Sequence, residues 1–98
     1  MSLPVILRRI AQAEFDDAAN WYEAQRAGQG AKFTAAIGRV LVDLGARPEL
    51  HPEVYEDVRE ALVARYPYAV YYRPGLDQVA VLAVFHTSRD PAEWQVRA

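Results

Sequence analysis

The sequence predicts an α+β fold in which a pair of helices covers one face of an antiparallel sheet. Two segments with helical spacing of apolar residues lie in the first half of the chain, on either side of a glycine-containing turn. Three segments rich in β-branched and aromatic residues follow in the second half. Helices and strands that are segregated along a chain are typical of α+β domains. A length of 98 residues suits one small domain, so we expect residues 1–98 to form a single one.

The first half of the chain predicts one strand and a helical hairpin. Leu3 to Arg8 is short, branched and apolar, which indicates an opening strand. Ala11 to Arg26 contains no glycine or proline. Its apolar residues at helical spacing share one face: Phe15, Ala18, Ala19 and Tyr22. After Gly28, a second apolar stripe predicts a helix from about Ala31 to Leu44, with Gly45 at its end, and the two helices form an αα-hairpin.

The second half predicts a three-stranded antiparallel meander and a short C-terminal helix. Residues 47–57 hold two prolines and several acids, and we expect a loop there. The predicted strands cover residues 58–63, 68–73 and 79–85. A Pro-Gly turn joins the last two strands. Asp90 as N-cap and Pro91 at the first helical position predict a short helix that carries Trp94.

Two of the predicted strands, YAVYYR and VAVLAVF, are apolar at nearly every position rather than at alternate positions. An antiparallel sheet that is covered on one face only should alternate between apolar and polar residues. We therefore expect a cover on the second face as well. It could be the terminal helix, a second copy of the chain or a partner protein.

Composition excludes several classes of chemistry. The chain has no cysteine, so it has no disulfide, thiol nucleophile or cysteine-ligated zinc. His51 and His86 are the only histidines and lack metal-ligand spacing, and no phosphate-binding glycine loop is present, so we expect no metal and no cofactor. No segment approaches the about 20 apolar residues of a membrane span, and the start does not resemble a secretory signal, so we expect a cytoplasmic protein without a membrane partner. The net charge of −2 disfavours nucleic-acid binding.

His86 and Arg89 directly follow the most apolar predicted strand, and two interpretations of them stay open. With Arg65 they could cleave RNA, because a histidine can act as general base and arginines can hold a phosphate. Alternatively, His86 ends the strand, and Arg89 pairs with Asp90 or with a helix carboxylate. The spacing alone does not choose between a catalytic site and a strand end.

Other cationic and aromatic residues allow similar pairs of interpretations. Arg59 and Arg65 share strand parity if their strand is unbroken, so they could form an anion site with Arg89, or they could be solvated edge residues. Four tyrosines could stack bases or pack in the sheet: Tyr66, Tyr68, Tyr71 and Tyr72. Trp21 lies at the margin of the first helical stripe, where it could pack or contact a partner.

Three segments occur in the same order as in the RelE/ParE superfamily of toxins: AANWYEAQRAGQGAKF, VREALVARYPYAVYYR and VLAVFHTSRDPAEW. The chain resembles this superfamily over about residues 5–95. Its members are the toxins of bacterial type II toxin–antitoxin modules. The resemblance implies a helical hairpin on an antiparallel sheet. It also implies a cognate antitoxin that wraps the toxin surface, with the chain acting as a homodimer or as a hetero-oligomer with the antitoxin.

The resemblance leaves two targets open, and with them the question of whether the chain is an enzyme. RelE-like members cut mRNA on the ribosome and would use His86 as base, with Arg65 and Arg89 on the phosphate. ParE-like members inhibit DNA gyrase by binding it. The acidic charge, the absence of lysine from the sheet region and Trp94 where a catalytic tyrosine would be expected favour the ParE-like branch.

The ParE-like interpretation implies a set of partner-facing residues rather than a catalytic site. They are Arg59, Arg65, His86, Arg89 and, on the first helix, Trp21. A third alternative is an inactive member that only binds its antitoxin.

Overall fold

The computed structural model describes residues 2–98. Its elements are β1 (Val5–Leu7), α1 (Arg9–Gln25), α2 (Gln29–Ala46), β2 (Glu53–Tyr55), β3 (Val58–Leu62), β4 (Tyr68–Pro74), β5 (Val79–His86) and α3 (Ala92–Gln95). The predicted α+β fold is confirmed: a strand, an αα-hairpin, an antiparallel meander and a short terminal helix follow one another in the expected order. None of the helices in the described part of the chain combines the length and apolarity needed to cross a bilayer.

The five strands form one sheet in the order β1-β5-β4-β3-β2. Strands β2 to β5 pair antiparallel, as expected for a meander. Strand β1 instead pairs parallel with β5, with Val5 opposite Val79. A parallel pair needs a long connection, and here the helices and the meander supply it. The first and last strands of the chain are therefore neighbours.

Strand β2 corrects the predicted loop over residues 47–57. Glu53 pairs with Arg59 and Tyr55 pairs with Val58, which closes a tight hairpin around Glu56 at a φ of +52°. All three residues of β2 are exposed. A three-residue edge strand with no buried side chain has no apolar alternation, so no pattern in the sequence predicts it.

Two glycines of the helical hairpin have distinct structural roles. Gly28 turns the chain between α1 and α2 at a φ of +91°, a conformation that costs glycine little. Gly45 does not end α2, as the sequence suggests, but lies inside it. A Cβ at Gly45 would sit 2.7 Å from the carbonyl oxygen of Leu3, and the Leu3 N–H donates to the Gly45 carbonyl at 3.0 Å. This glycine allows the N-terminal segment to approach the helix closely.

The sheet is covered on both faces. The hairpin packs on one face, around Phe33, Ile37 and Tyr72. On the other face lies a second apolar cluster: Val58, Ala69, Tyr71, Leu82, Ala83, Phe85 and Trp94. Trp94 comes from α3, so the terminal helix is one cover of the second face. Tyr71 is opposite Ala83 while Tyr72 is opposite Val81, so a bulge directs both Leu82 and Ala83 toward this face.

Candidate functional site

A groove of about 540 Å³ opens between α1 and the carboxyl end of β5. Its main lining residues come from α1 (Glu14, Asp17, Trp21 and Tyr22) and from the sheet end (Tyr68, His86 and Arg89). We call it the α1–β5 groove. It brings together three of the residues that the sequence singles out, namely Trp21, His86 and Arg89. It also contains Asp17 and Glu14, which sequence reasoning did not select.

The helical repeat explains why the acids and the tryptophan meet in this groove. Glu14, Asp17 and Trp21 follow one another at spacings of three and four residues, which places them on one face of α1. Trp21 is 58% exposed, a high value for so large an apolar side chain. The spacing is visible in the sequence, but charged residues beside an apolar helical stripe are typical of any solvated helix face and so do not indicate a site.

His86 is the last residue of β5 and lies opposite Tyr68 on β4, with ring centroids 5.1 Å apart. The Ser88 backbone N–H donates to His86 Nδ1 at 3.1 Å, and Ser88 Oγ is 2.7 Å from the same nitrogen. An amide N–H can only donate, so Nδ1 is the unprotonated nitrogen and the neutral ring carries its proton on Nε2. The ring therefore retains an N–H donor, while its basic lone pair is already engaged.

Arg89 is held by carboxylates on both sides. It donates to Glu93 at 2.8 Å and to Glu14 at 3.4 Å, and its guanidinium carbon lies 4.2 Å from the centroid of the Phe85 ring. The hydrogen bond that Arg89 donates to Glu93 is the main reason that the pKa of Arg89 is raised above its usual value. The pairing with helix carboxylates corresponds to the second of the two interpretations of this residue.

Glu14 also forms a largely buried pair with Arg97. The two terminal guanidinium nitrogens donate to its carboxylate, at 2.9 and 3.0 Å, and each side chain is 13% exposed. Glu14 accepts the Val84 N–H at 3.1 Å, and Arg97 donates to the Leu82 carbonyl at 3.1 Å. The pair thus supplies hydrogen-bond partners to the backbone of β5 at positions where β1 has already ended. The two residues are 83 positions apart, so no local pattern reveals the contact.

Arg59 and Arg65 do not line the α1–β5 groove. Strand β3 ends at Leu62, so the parity that would have aligned these two arginines is interrupted. Arg59 donates to the carbonyls of Glu49 at 3.0 Å and His51 at 2.7 Å, and so anchors the segment before β2. Arg65 lies in the following turn at a φ of +71°. It lines a separate groove of about 490 Å³ together with Lys32 and Arg39.

The tyrosines serve mainly in packing. Tyr71 and Tyr72 are buried, and their hydroxyls donate to Glu60 at 2.7 Å and to the Pro48 carbonyl at 2.9 Å. Tyr22 and Tyr68 pack around Phe33 and also border the α1–β5 groove. Burial raises the pKa of Tyr22 and of Tyr68, so both hydroxyls stay protonated at neutral pH.

Taken by its chemistry, the α1–β5 groove combines aromatic surface, hydrogen-bond donors and acids. Within residues 2–98, no three of the histidine, aspartate and glutamate side chains lie close enough to hold a metal ion. The two basic residues of the groove, His86 and Arg89, already have partners inside the protein. The arrangement suits contact with another molecule better than proton transfer.

Comparisons with known proteins agree with this architecture. No curated protein matches the sequence. A solved structure described as "Chromosomal ParDE TA system from P. aeruginosa" is similar with a TM-score of 0.76 and 17% identity, over 87% of this chain and 96% of that one. At that identity the likeness supports the fold. A family model, the ParE toxin of the type II toxin–antitoxin system parDE, matches residues 5–91. This match spans most of the sequence, and the chain therefore belongs to the ParE toxin family of type II toxin–antitoxin systems.

Proposed function

We propose that this chain inhibits DNA gyrase in the bacterial cytoplasm by binding it, and that a cognate antitoxin neutralises it. The observation that carries the proposal is that His86 and Arg89 are both bonded to other groups of the protein. With these bonds in place, neither side chain is available for phosphodiester cleavage. Membership of the ParE toxin family supports the same conclusion.

A nuclease mechanism would require the corner to be rearranged. His86 would have to release the Ser88 N–H before Nδ1 could accept a proton from a substrate hydroxyl. Arg89 would have to leave Glu93 and Glu14 before it could hold a phosphate. Glu14 and Asp17 also line the groove, and carboxylates repel a phosphate backbone.

The same groove has features of a protein-binding surface. Exposed tryptophan and half-buried tyrosine side chains supply large contact areas, and aromatic residues are enriched where proteins bind one another. The Nε2–H of His86 and the tyrosine hydroxyls add donors. We assign the partner-binding role at this groove to Trp21, His86 and Arg89. Arg59 and Arg65 would make secondary contacts elsewhere on the surface.

The proposal is tested by measuring two activities of the purified chain side by side. Supercoiling by purified gyrase should be inhibited, while mRNA on translating ribosomes should stay intact. Trp21→Ala should weaken gyrase inhibition, because it removes the most exposed aromatic surface of the groove. Leu76→Ala is the matched control, since Leu76 is 97% exposed but lies in the turn between β4 and β5.

Two results would contradict the proposal. Position-specific mRNA cuts that disappear in His86→Ala would establish the ribosome-dependent nuclease instead. Unaffected supercoiling together with intact mRNA, in a chain that still binds its antitoxin, would identify a member with antitoxin binding only.

A further inference from the structure

The α1–β5 groove carries one charge that no other described residue balances. Glu14 is paired with Arg97 and Arg89, and Glu93 is paired with Arg89. Asp17 forms no ion pair or side-chain hydrogen bond with any of residues 2–98. It lines the groove from the middle of α1. The surplus charge of the groove is therefore negative and lies on Asp17.

A row of four rings borders the same groove. Trp21 and Tyr22 meet edge to face with centroids 5.1 Å apart. Tyr22 lies 6.4 Å from Tyr68, and Tyr68 lies 5.1 Å from His86. Asp17 and Trp21 are one helical turn apart, so the carboxylate stands beside the exposed end of this row. An acid beside aromatic rings is the arrangement that attracts a cation.

We propose that the α1–β5 groove receives the side chain of an arginine carried by an apolar segment of a partner protein. The inference rests on the proposed function, in which the chain acts by binding proteins. A guanidinium matches the site because it is planar, stacks on aromatic rings and pairs with a carboxylate, and it gives up water more readily than an ammonium. The methylenes of arginine would lie against Ala18 and Val84, which also line the groove.

Charge argues against other occupants. An acidic segment would meet Asp17 without a free cation to offset the repulsion, since Arg89 already has two carboxylate partners. A wholly apolar segment would cover the Asp17 carboxylate and leave it without a partner, which is unfavourable. A cationic side chain removes both problems at once.

The test uses the full chain and two blocked peptides, acetyl-Leu-Arg-Leu-amide and its citrulline analogue, which is nearly isosteric but uncharged. Binding is followed by NMR through the indole N–H of Trp21. Trp94, 2% exposed on the opposite face of the sheet, is the internal reference. The arginine peptide should shift the Trp21 signal saturably, with an affinity about fivefold or more above that of the citrulline peptide, and should leave Trp94 unmoved.

Two charge-matched variants locate the effect. Asp17→Asn should reduce the affinity for the arginine peptide by up to about fivefold, because it removes the carboxylate that pairs with the guanidinium. Asp16→Asn should leave it unchanged, since Asp16 has the same charge on the same helix but does not line the groove and is bonded to Gln12 at 3.0 Å. Both positions are exposed, so neither variant should alter folding.

Three outcomes would overturn the inference. One is equal binding of the arginine and citrulline peptides by the unaltered chain. Another is an equal effect of the Asp16 and Asp17 variants. The third is a Trp21 shift that grows with protein concentration in the absence of peptide, which would assign the groove to a second copy. Gyrase inhibition is measured separately by the supercoiling assay, so a chain that inhibits gyrase but fails this peptide test would overturn the arginine inference and leave the proposed function standing.

Discussion

Trp94 stacks on Tyr71 with ring centroids 4.0 Å apart and an angle of 15° between the ring planes. Trp94 belongs to α3, which has four residues. A helix this short has almost no stability of its own. The stacked pair therefore holds the helix on the sheet, and the second face of the sheet depends strongly on one side chain.

Replacement of Trp94 should destabilise the protein far more than replacement of Trp21. We expect Trp94→Ala to lower the free energy of unfolding by about 3–5 kcal/mol, because it removes a buried indole and uncovers Tyr71. Trp21→Ala should change it by less than about 0.5 kcal/mol, since Trp21 is largely exposed. Urea titration of both variants measures the difference. Similar losses in the two would show that the stack is not what secures this face.

Stability should fall at alkaline pH because of the buried tyrosines. Burial, and then the hydrogen bond to Glu60, raises the pKa of Tyr71, and burial also raises the pKa of Tyr72. A raised pKa favours the neutral phenol in the folded state. The contribution of each buried phenol to the free energy of unfolding is therefore complete below the ordinary tyrosine pKa of about 10, and it is lost as the pH rises above that value.

The measurement compares the free energy of unfolding at about pH 8 and about pH 11. The unaltered chain should lose stability between them, and Tyr71→Phe should lose less, because the titrating hydroxyl is gone. Tyr55→Phe, at an exposed edge position, should behave like the unaltered chain. A Tyr71→Phe variant with the full alkaline loss would contradict the assignment to Tyr71.

The Glu14–Arg97 pair should contribute to stability more than an exposed pair does. Glu14→Gln leaves a largely buried guanidinium without its charged partner, and we expect a loss of about 2–4 kcal/mol. Glu93→Gln breaks an ion pair whose side chains are 42% and 50% exposed, and should cost no more than about 0.5 kcal/mol. The loss in Glu14→Gln should also persist at high salt, because partly buried pairs are weakly screened.

Two glycines of α2 should respond in opposite directions to the same substitution. A Cβ at Gly38 meets no atom within 4 Å, so Gly38→Ala should stabilise the helix by up to about 1 kcal/mol. Gly45→Ala should destabilise the protein, since its Cβ would lie 2.7 Å from the Leu3 carbonyl oxygen. Thermal unfolding of the two variants provides the comparison, and a gain in both would refute the close approach of Leu3.

The protonation pattern of His86 can be observed directly. Nitrogen-15 NMR at a pH where the ring is neutral should show a proton on Nε2 and none on Nδ1, because Nδ1 accepts the Ser88 N–H. Ser88→Ala retains that N–H and should keep the pattern, whereas Ser88→Pro removes it and should allow both tautomers. A proton on Nδ1 in the unaltered chain would reopen the general-base role.

The parts of the fold that the sequence predicts are those with a local signal. The apolar repeat of α1 and the glycine at position 28 specify the hairpin within residues 9–46. The uninterrupted apolar strands correctly indicate a sheet covered on both faces. Strand β2 escapes prediction because its three residues bury nothing and depend on pairing with β3 for their conformation.

The candidate site is predictable only in part. His86 and Arg89 stand out because polar residues end an apolar strand. The partners that decide their chemistry are less evident: Ser88 acts through its backbone, and Glu14 comes from a helix about seventy residues earlier. The alignment of Arg59 with Arg65 requires a strand that continues past Leu62, and β3 ends at that residue.

Because Val5 pairs with Val79, the sheet can be completed only late in synthesis of the chain. Strand β1 leaves the ribosome first, but its partner in the sheet, β5, is made only after the helices and the other strands. Closing so long a stretch of chain is entropically costly and delays folding. The α1–β5 groove needs both of its walls, and its Glu14 wall is tied down by Arg97. The groove therefore forms only after β5 and the segment that carries Arg97 have emerged from the ribosome, so a nascent chain that lacks them does not yet present this surface to a partner.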